Sequence, residues 1–154
     1  IEPAEHSGIV FNVERLADVL PEVAQHHRDQ WDEIERVREE LNPNYEYVLN
    51  AEKNGRYVLF TARKDGVLIG NTGCYLYDSL HTGKLAAKED TMYVVPEERK
   101  GMMAVRFFKY CEKVLVGFGV KEITVQVKTS NRVYKLWERQ GYEFSDRVLS
   151  KIFE

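Results

Sequence analysis

DTMYVVPEERKGMMAVRFFKYCEKVL, residues 90–115, contains a short apolar run, a proline, a charged corner with one glycine, and a second, longer apolar stretch. Residues 92–95 are aromatic and β-branched, which favours a strand. Pro96 cannot donate to a sheet ladder, so the strand is predicted to stop or bulge there. After Gly101 the apolar residues recur every three or four positions, which is the spacing of a helix lying on a sheet. The segment therefore predicts a strand, a tight connection and a helix.

The start of that helix carries positive charge. The first backbone N–H groups of a helix have no intrahelical acceptor, and the helix dipole places partial positive charge among them, so such an end binds phosphate. Arg99 and Lys100 add two full charges at the same place. A basic first turn is also common in strand-turn-helix units that bind nothing. The pattern alone leaves a phosphate site and a solvated basic turn both open.

Length and composition bound the remaining possibilities. A chain of 154 residues is expected to form one domain, residues 1–154, with a sizeable core. It is 44% apolar and 31% charged, it has no run close to the roughly 20 apolar residues of a membrane span, and its start lacks a signal-peptide layout. We expect a cytoplasmic protein with no membrane partner. A net charge of −3 argues against a broad electrostatic grip on nucleic acid.

The few histidines and cysteines do not indicate a metal site. Cys74 and Cys111 lie in apolar contexts without metal-ligand spacing, which favours buried, reduced thiols. His26 and His27 are adjacent, so on a helix they point in different directions, and solvated or packing roles are favoured over ligation. No metal is expected.

The first half of the chain reads as an edge strand, two helices and a hairpin. Residues 9–13 alternate weakly, and helical spacing follows from Leu16 to Ile34, with Pro21 in the first turn or marking the start. Turn signals on both sides predict a short helix before Asn54-Gly55. Residues 57–62 and 67–77 then read as two strands of a hairpin that turns at Lys64-Asp65-Gly66, and a polar loop over residues 78–88 follows.

The last third predicts one more strand and one more helix. Residues 123–127 alternate as in a half-buried strand. Thr129-Ser130-Asn131 is a helix-capping cluster, and the helix that follows is expected to stop at Gly141.

Two segments resemble the signatures of the GNAT superfamily of acetyl-CoA-dependent N-acetyltransferases. The first is similar to that family's R/Q-x-x-G-x-G/A segment, and it consists of Arg99, Lys100, Gly101, Met102, Met103 and Ala104. It departs from the pattern, because Met102 stands where the first glycine is most frequent and Gly101 lies one place earlier. The second, NRVYKLWERQGYEF, closely resembles N-x-x-A-x-x-L-Y-E-x-x-G-F/Y. The resemblance covers about residue 11 to the end, and a finer similarity is to small members carried by phages and prophages.

This resemblance implies an α/β fold with a mixed sheet of about six to seven strands, two N-terminal helices and two C-terminal helices. The central strand and the strand at residues 123–127 are expected to splay apart, so that pantetheine amides pair with the backbone at Val94 and Val95. The pyrophosphate would lie on the N–H groups of residues 99–104, with Arg99 and Lys100 as counter-charges. Asn131 would reach the pantetheine arm.

The implied chemistry is attack by a neutral amine on a thioester, which requires a base and an oxyanion donor. Asp90 is the first candidate base, because alternation places it on the face of Met92 and Val94. Glu89 is the second, on the opposite face. A solvated carboxylate with a water relay is the alternative. A backbone N–H near Val94 or Val95 is the predicted donor to the carbonyl.

The remaining site residues follow from the same resemblance. Relatives often use the tyrosine of L-Y-E to reprotonate the thiolate, but here that position is Trp137, so Tyr134 is the candidate replacement. Trp31 and His81 are predicted on the acceptor side, with a solvated loop histidine as the alternative for His81.

The function predicted from the sequence is transfer of acetyl from acetyl-CoA to a primary amine on a small molecule, a protein or a modified nucleobase. The alternative is a GNAT-fold module that binds acetyl-CoA or a protein without turnover, for which Met102 and Trp137 are the motivating departures. A longer acyl-CoA donor and a homodimer both stay open.

Overall fold

The computed structural model describes residues 1–33, 40–127 and 133–153, and the six strands of these ranges form one sheet in chain order. Adjacent strands are antiparallel, except that the last two are parallel. A short 3₁₀ turn at Pro96–Glu98 connects the fifth strand to the third helix. The elements are β1 (Ala4–His6), β2 (Ile9–Glu14), α1 (Leu16–Asp32), α2 (Tyr45–Lys53), β3 (Tyr57–Lys64), β4 (Val67–Asp78), β5 (Leu85–Val94), α3 (Met103–Gly117), β6 (Glu122–Thr124) and α4 (Tyr134–Arg139).

The expected mixed sheet, with two helices before the main strands and two after them, is confirmed. Several bounds differ from the sequence interpretation. β2 is not an edge strand, because the short β1 pairs outside it. β5 begins at Leu85 rather than at residue 92, and β6 is shorter than residues 123–127. The hairpin turn is confirmed, with positive φ at both Asp65 and Gly66.

Each face of the sheet carries its own core. On one face α3 packs against the strands, and the Phe11 and Phe107 rings stack with centroids 5.4 Å apart. On the other face Leu16, Val19 and Val23 of α1 pack against β3 and β4. Alternate residues of one strand therefore belong to different cores, so the α3 face and the α1 face can be told apart residue by residue. Both cysteines are buried free thiols.

α1 begins without a side-chain cap of its own. Its N-cap residue, Arg15, makes no capping hydrogen bond, and Glu52 of α2 takes that role. The backbone N–H groups of Leu16 and Ala17 donate to the two Glu52 carboxylate oxygens at 2.6 and 3.3 Å. Pro21 lies inside α1 beyond the first turn, so the prediction that it belongs to the first turn or marks the start of the helix was wrong. Within the described ranges, no helix combines the length and apolar character needed to cross a bilayer.

The fold gives a first prediction about this cap. Glu52→Ala should lower the free energy of unfolding by about 1–2 kcal/mol, because two amides at the start of α1 lose their acceptor. Glu52→Gln keeps one oxygen acceptor but not the charge, so it should lose less. Urea unfolding of the three proteins measures this order, and equal losses in both variants would show that the hydrogen bonds are not what stabilises the helix.

Candidate active site

The candidate site lies where β5 and β6 separate. β6 pairs in parallel with Ala86–Lys88 of β5 and ends at Thr124. Glu89 is the next residue of β5, and the backbone N–H of Gln126, two residues beyond the end of β6, lies close enough to its carboxyl to lower the pKa. The side chain therefore spans the point at which the two backbones part. The splayed strands expected from the sequence are confirmed in this form.

A β-bulge at Asp90 reverses the expected faces of the two carboxylates. Cys74 of β4 pairs with Glu89, and Gly73 pairs with Thr91, so Asp90 is an extra residue without a partner. Simple alternation predicted Asp90 on the face of Met92 and Val94, and that prediction was wrong. Because of the extra residue, Glu89 lies on the α3 face, opposite Cys74 and in line with Met92 and Val94.

Glu89 has the electrostatics of a proton acceptor near neutral pH. Its side chain is buried, with 7% of the residue exposed. Burial, and next the negative charge of Asp90, raise the pKa of the Glu89 carboxyl from 4.5 to about 7, while the Gln126 N–H opposes that shift. A carboxyl that titrates near neutral pH can alternate between its two protonation states under working conditions. Of the two candidate bases, Glu89 fits that role better.

Asp90 occupies a different environment. Its side chain is exposed on the α1 face, where partial burial raises the pKa of the carboxyl and the nearby Lys88 lowers it. The negative charge of Asp90 in turn raises the pKa of the hydroxyls of Tyr57 and Tyr75, in both cases after the larger effect of burial. Asp90 therefore faces aromatic side chains and solvent, whereas Glu89 faces the interior.

Gly73 makes room for one of these tyrosines. A Cβ built on Gly73 would lie 1.9 Å from the Tyr57 hydroxyl oxygen, so the phenol covers the position that a side chain would fill. Because Gly73 pairs with Thr91, this hydroxyl lies beside the bulge. Because Gly73 has no side chain, the Tyr57 hydroxyl can lie next to Asp90.

Beyond Lys88 the edge of β5 that faces away from β4 has no partner strand in the described part of the chain, and we call it the open edge. It differs from the expectation at one residue. The N–H of Val95 donates to the carbonyl of Ile69 at 2.8 Å, so Val95 faces β4, and the prediction that its backbone is unpaired was wrong. Backbone groups of successive residues alternate in direction, so those of Val94 and Met92 face the open edge. Their carbonyls accept hydrogen bonds from Arg99 Nε at 2.6 Å and Gln30 Nε2 at 3.1 Å, respectively.

The N-terminus of α3 is the segment that the sequence predicts to bind phosphate. The first bond within the helix runs from the N–H of Arg106 to the carbonyl of Met102, which leaves the N–H groups of residues 103–105 without an intrahelical acceptor. Gly101 adopts φ +65°, and Met102 has an ordinary φ of −101°. The glycine one place early therefore supplies the left-handed turn, and methionine fits the next position without strain.

Arg99 does not face this helix terminus as an unpaired charge. Its guanidinium Nη2 lies 2.8 and 2.9 Å from the two carboxylate oxygens of Glu33, just after α1, and the group also lies over the Tyr93 ring. Together with the bond to Val94, these contacts tie the end of α1 to the end of β5. Lys100 is exposed, and it is the better candidate for a charge that meets an anion.

The other predicted residues are spread over the structure. Trp31 is half-buried in the last turn of α1, and Tyr134 starts α4 with its ring against Phe144. His81 is exposed in the loop before β5, and Leu85, where β5 begins, is about 16 Å along the strand from Asp90. The structure therefore does not bring His81 to the bulge. Asn131 lies outside the described residues.

Trp137 has a packing role in place of the expected tyrosine. Its ring is buried at 3.9 Å from the centroid of Phe108, in an edge-on arrangement, and it also contacts Tyr142. His26 is likewise a packing residue, buried against Tyr93 with Nδ1 2.8 Å from the Asn71 amide nitrogen. Over the residues that the structure describes, no group of three or more potential ligands is arranged to hold a metal.

Sequence reasoning missed Met92 and Gln30, which meet at the open edge of β5. The β-bulge that decides which side chains lie beside them had no signal in the residue pattern, because alternation of apolar residues continues on both sides of it.

A groove of about 530 Å³ lies elsewhere, between the end of α3, β6 and residues 140–146. It is at the opposite end of α3 from the free amides, so we do not assign it to this site.

The profile of the Acetyltransferase (GNAT) family matches residues 20–142. An aminoglycoside acetyltransferase from an uncultured soil metagenomic sample, in complex with sisomicin, superposes with a TM-score of 0.73 at 14% identity over 96% of this chain and 95% of that one. A "predicted acetyltransferase" with acetyl-CoA from Clostridium acetobutylicum gives 0.72 at 17% identity, over 94% and 96%.

A third similar structure is the ribosomal-protein-alanine N-acetyltransferase from Brucella melitensis biovar Abortus 2308, with a TM-score of 0.71 at 17% identity over 95% of this chain and 99% of that one. At these identities the likeness is one of fold. No curated protein matches the sequence.

The close approach at Gly73 gives a second prediction. Gly73→Ala should lower the free energy of unfolding by about 1–3 kcal/mol, because the new methyl and the Tyr57 phenol cannot share one position. Gly70→Ala is the matched control in the same strand, where the nearest atoms would lie at 3.3 and 3.4 Å and a smaller loss is expected. Thermal unfolding compares the two, and an unchanged Gly73→Ala protein would contradict the geometry.

Proposed function

The chain belongs to the Acetyltransferase (GNAT) family, and we propose that it transfers the acetyl group of acetyl-CoA to the primary amine of an acceptor. The observation that carries this proposal is Glu89, a buried carboxyl with a pKa of about 7 at the point where β5 and β6 separate. Such a group is what an enzyme needs in order to remove a proton from an attacking amine near neutral pH.

Residues of β5, of the start of α3 and of the connection between them suit acetyl-CoA. The N–H groups of residues 103–105, with Lys100 beside them, suit the pyrophosphate. The N–H groups of Met92 and Val94 face the open edge, and we assign them to the pantetheine amides and the thioester carbonyl. Asn131 is proposed for the pantetheine arm from the family resemblance alone. When bound, acetyl-CoA supplies a thioester whose C–S bond breaks as the acetyl carbon bonds to the amine nitrogen.

Proton transfer is assigned to Glu89 and not to Asp90. A Glu89 carboxylate oxygen accepts the proton that the amine loses, directly or through one water molecule, and the Gln126 N–H orients that carboxylate. Asp90, on the α1 face, is assigned to orienting the acceptor. From the sequence, Asp90 was the first candidate base and Glu89 the second, because the residue pattern does not reveal the bulge.

The thiolate that leaves also needs a proton. Trp137 cannot supply it, because its indole is a weak acid and is packed against Phe108. Tyr134 remains the candidate donor. A thiol has a pKa of about 8.5, so the thiolate is a tolerable leaving group even without a dedicated acid.

The same tryptophan favours a second candidate function. Because a packed Trp137 stands where relatives have a tyrosine, the chain could be a GNAT-fold module that binds acetyl-CoA without turnover. Release of CoA thiol in the presence of amines separates the two functions. The two similar structures with named activities, on an aminoglycoside and on a ribosomal protein, support including both small-molecule and protein amines among the acceptors tested.

The third prediction concerns Glu89. In the wild-type protein kcat/KM for one fixed amine should rise with pH through an apparent pKa of about 7, because Glu89 acts as a base only when it is ionised. Glu89→Gln should lower kcat by about 10²–10⁴-fold and remove that inflection. The acceptor amine also titrates, but it does so in the same way with every variant, so the comparison between variants is unaffected.

Asp90→Asn provides the comparison for that profile. Since the Asp90 charge is one cause of the raised pKa of Glu89, removing it should move the inflection to lower pH rather than abolish it. An inflection near pH 7 that persists in Glu89→Gln would show that another group is the base.

The fourth prediction concerns the cofactor. Lys100→Glu should weaken acetyl-CoA binding more than tenfold in calorimetry, because attraction to a phosphate becomes repulsion beside the start of α3. Lys113→Glu makes the same charge change on an exposed residue about 15 Å further along the helix, and it should alter the affinity less than twofold. Equal effects of the two substitutions would contradict the assignment of this terminus to the pyrophosphate.

A further inference from the structure

Three tyrosines from three elements form an arc on the α1 face of the sheet. Tyr75 of β4 is in the middle, with its ring centroid 5.1 Å from that of Tyr57 in β3 and 6.4 Å from that of Tyr47 in α2. Tyr57 is buried and Tyr75 is half-buried, whereas Tyr47 is 64% exposed. We call these three residues the tyrosine cluster. It is open to solvent on the Tyr47 side.

The β-bulge brings a carboxylate to one end of this arc. The Tyr57 hydroxyl covers Gly73, and Gly73 pairs with Thr91, the neighbour of Asp90. Asp90 is exposed and lies on the same face as the cluster. A carboxylate thus stands beside aromatic rings close to the point where β5 and β6 separate, and nothing in the mechanism assigned to Glu89 uses the rings.

Rings and a carboxylate together suit a positive charge. The faces of aromatic rings attract ammonium groups, more strongly where water is partly excluded, and the carboxylate adds a full opposite charge. Two other charged side chains on this side affect the cluster. The Glu52 carboxylate is bonded to the start of α1, and Lys88, opposite Tyr75, is a cation that lowers the pKa of Asp90 and so competes with a ligand for it.

The spacing of the strands gives the distance from the cluster to the bulge, measured across the sheet. Tyr75 lies one strand and Tyr57 two strands away from β5. Neighbouring strands are about 4.8 Å apart, so a cation held on the cluster lies about 5–10 Å from the bulge. An alkyl chain that crosses this gap and passes the edge of β5 where β6 has separated would carry the second amine from the α1 face to Glu89.

We propose that the tyrosine cluster and Asp90 bind a second, positively charged group of the acceptor, which makes the acceptor an alkyl diamine or polyamine. One amine is held as an ammonium by Tyr47, Tyr75 and Asp90, and the other, in its neutral form, is acetylated. The inference rests on the proposed function and names the acceptor class of that site.

The test compares acceptors that differ only in the second charge. CoA thiol release is measured with 1,4-diaminobutane, butylamine and 4-aminobutan-1-ol, all at one pH and with saturating acetyl-CoA. The diamine should have a kcat/KM at least tenfold above the other two, since only it can fill the cluster while presenting a neutral amine. Equal values for the three acceptors would overturn the proposal.

Variants show whether the cluster is the source of that preference. Tyr47→Leu should reduce the preference for the diamine about tenfold and leave butylamine turnover unchanged, whereas Tyr47→Phe should keep it, because the ring remains. Tyr77→Leu is the matched control, an exposed tyrosine of the same strand as Tyr75. Lys88→Gln should increase the preference by removing the competing cation. A preference that Tyr47→Leu leaves intact would also overturn the proposal.

Binding without turnover separates this inference from the proposed function. If no amine releases CoA thiol, the transferase proposal fails, and calorimetry with 1,4-diaminobutane alone decides about the cluster. Diamine binding to the wild-type protein that is at least tenfold weaker in Tyr47→Leu supports the site. Binding that is absent, or the same in both proteins, contradicts it.

Discussion

Asp90 has no partner on β4, so β5 holds one residue more than the strand beside it. That single insertion decides which way every later side chain of β5 points, because the period of a strand is two. Before it, Ala87 and Glu89 face α3; after it, Met92 and Val94 do. The bulge therefore decides which of the two consecutive carboxylates lies on the α3 face beside the end of β6 and which lies among the tyrosines on the α1 face. A regular strand would also put them on opposite faces, but with their surroundings exchanged.

The end of β5 is fixed by contacts with α1. Gln30 donates to the Met92 carbonyl, and Arg99 joins Glu33 to the Val94 carbonyl. An exposed ion pair adds little stability by itself. Here the arginine also donates to a backbone carbonyl and lies over Tyr93, so it positions the chain between β5 and α3. Because its charge is shared with Glu33, the groups that stay open to an anion at the start of α3 are the backbone amides and Lys100.

Local patterns were sufficient for most of the fold but not for the site. The helix after Gly101, the hairpin at Asp65-Gly66 and the strand ending at Pro96 each depend on neighbouring residues, and the structure has all three. The failures involve partners that are distant in sequence. Glu33 and Arg99 are 66 residues apart, and no residue pattern indicates that they meet. The bulge depends on how β4 and β5 align, which is a property of the pair of strands and is not encoded in either one alone.

The buried position of Glu89 has a cost for the fold. Its pKa in the folded chain, about 7, is above the 4.5 of an unperturbed carboxyl. Between these values the unfolded chain releases the proton and the folded chain keeps it, so stability falls as the pH rises toward 7 and stays lower above it. The difference amounts to roughly 3 kcal/mol. An alanine or a neutral glutamine amide at this position would avoid that loss, and only an ionisable group can accept a proton there. The energetic penalty is therefore the strongest physical reason to read Glu89 as a functional residue rather than as part of the core.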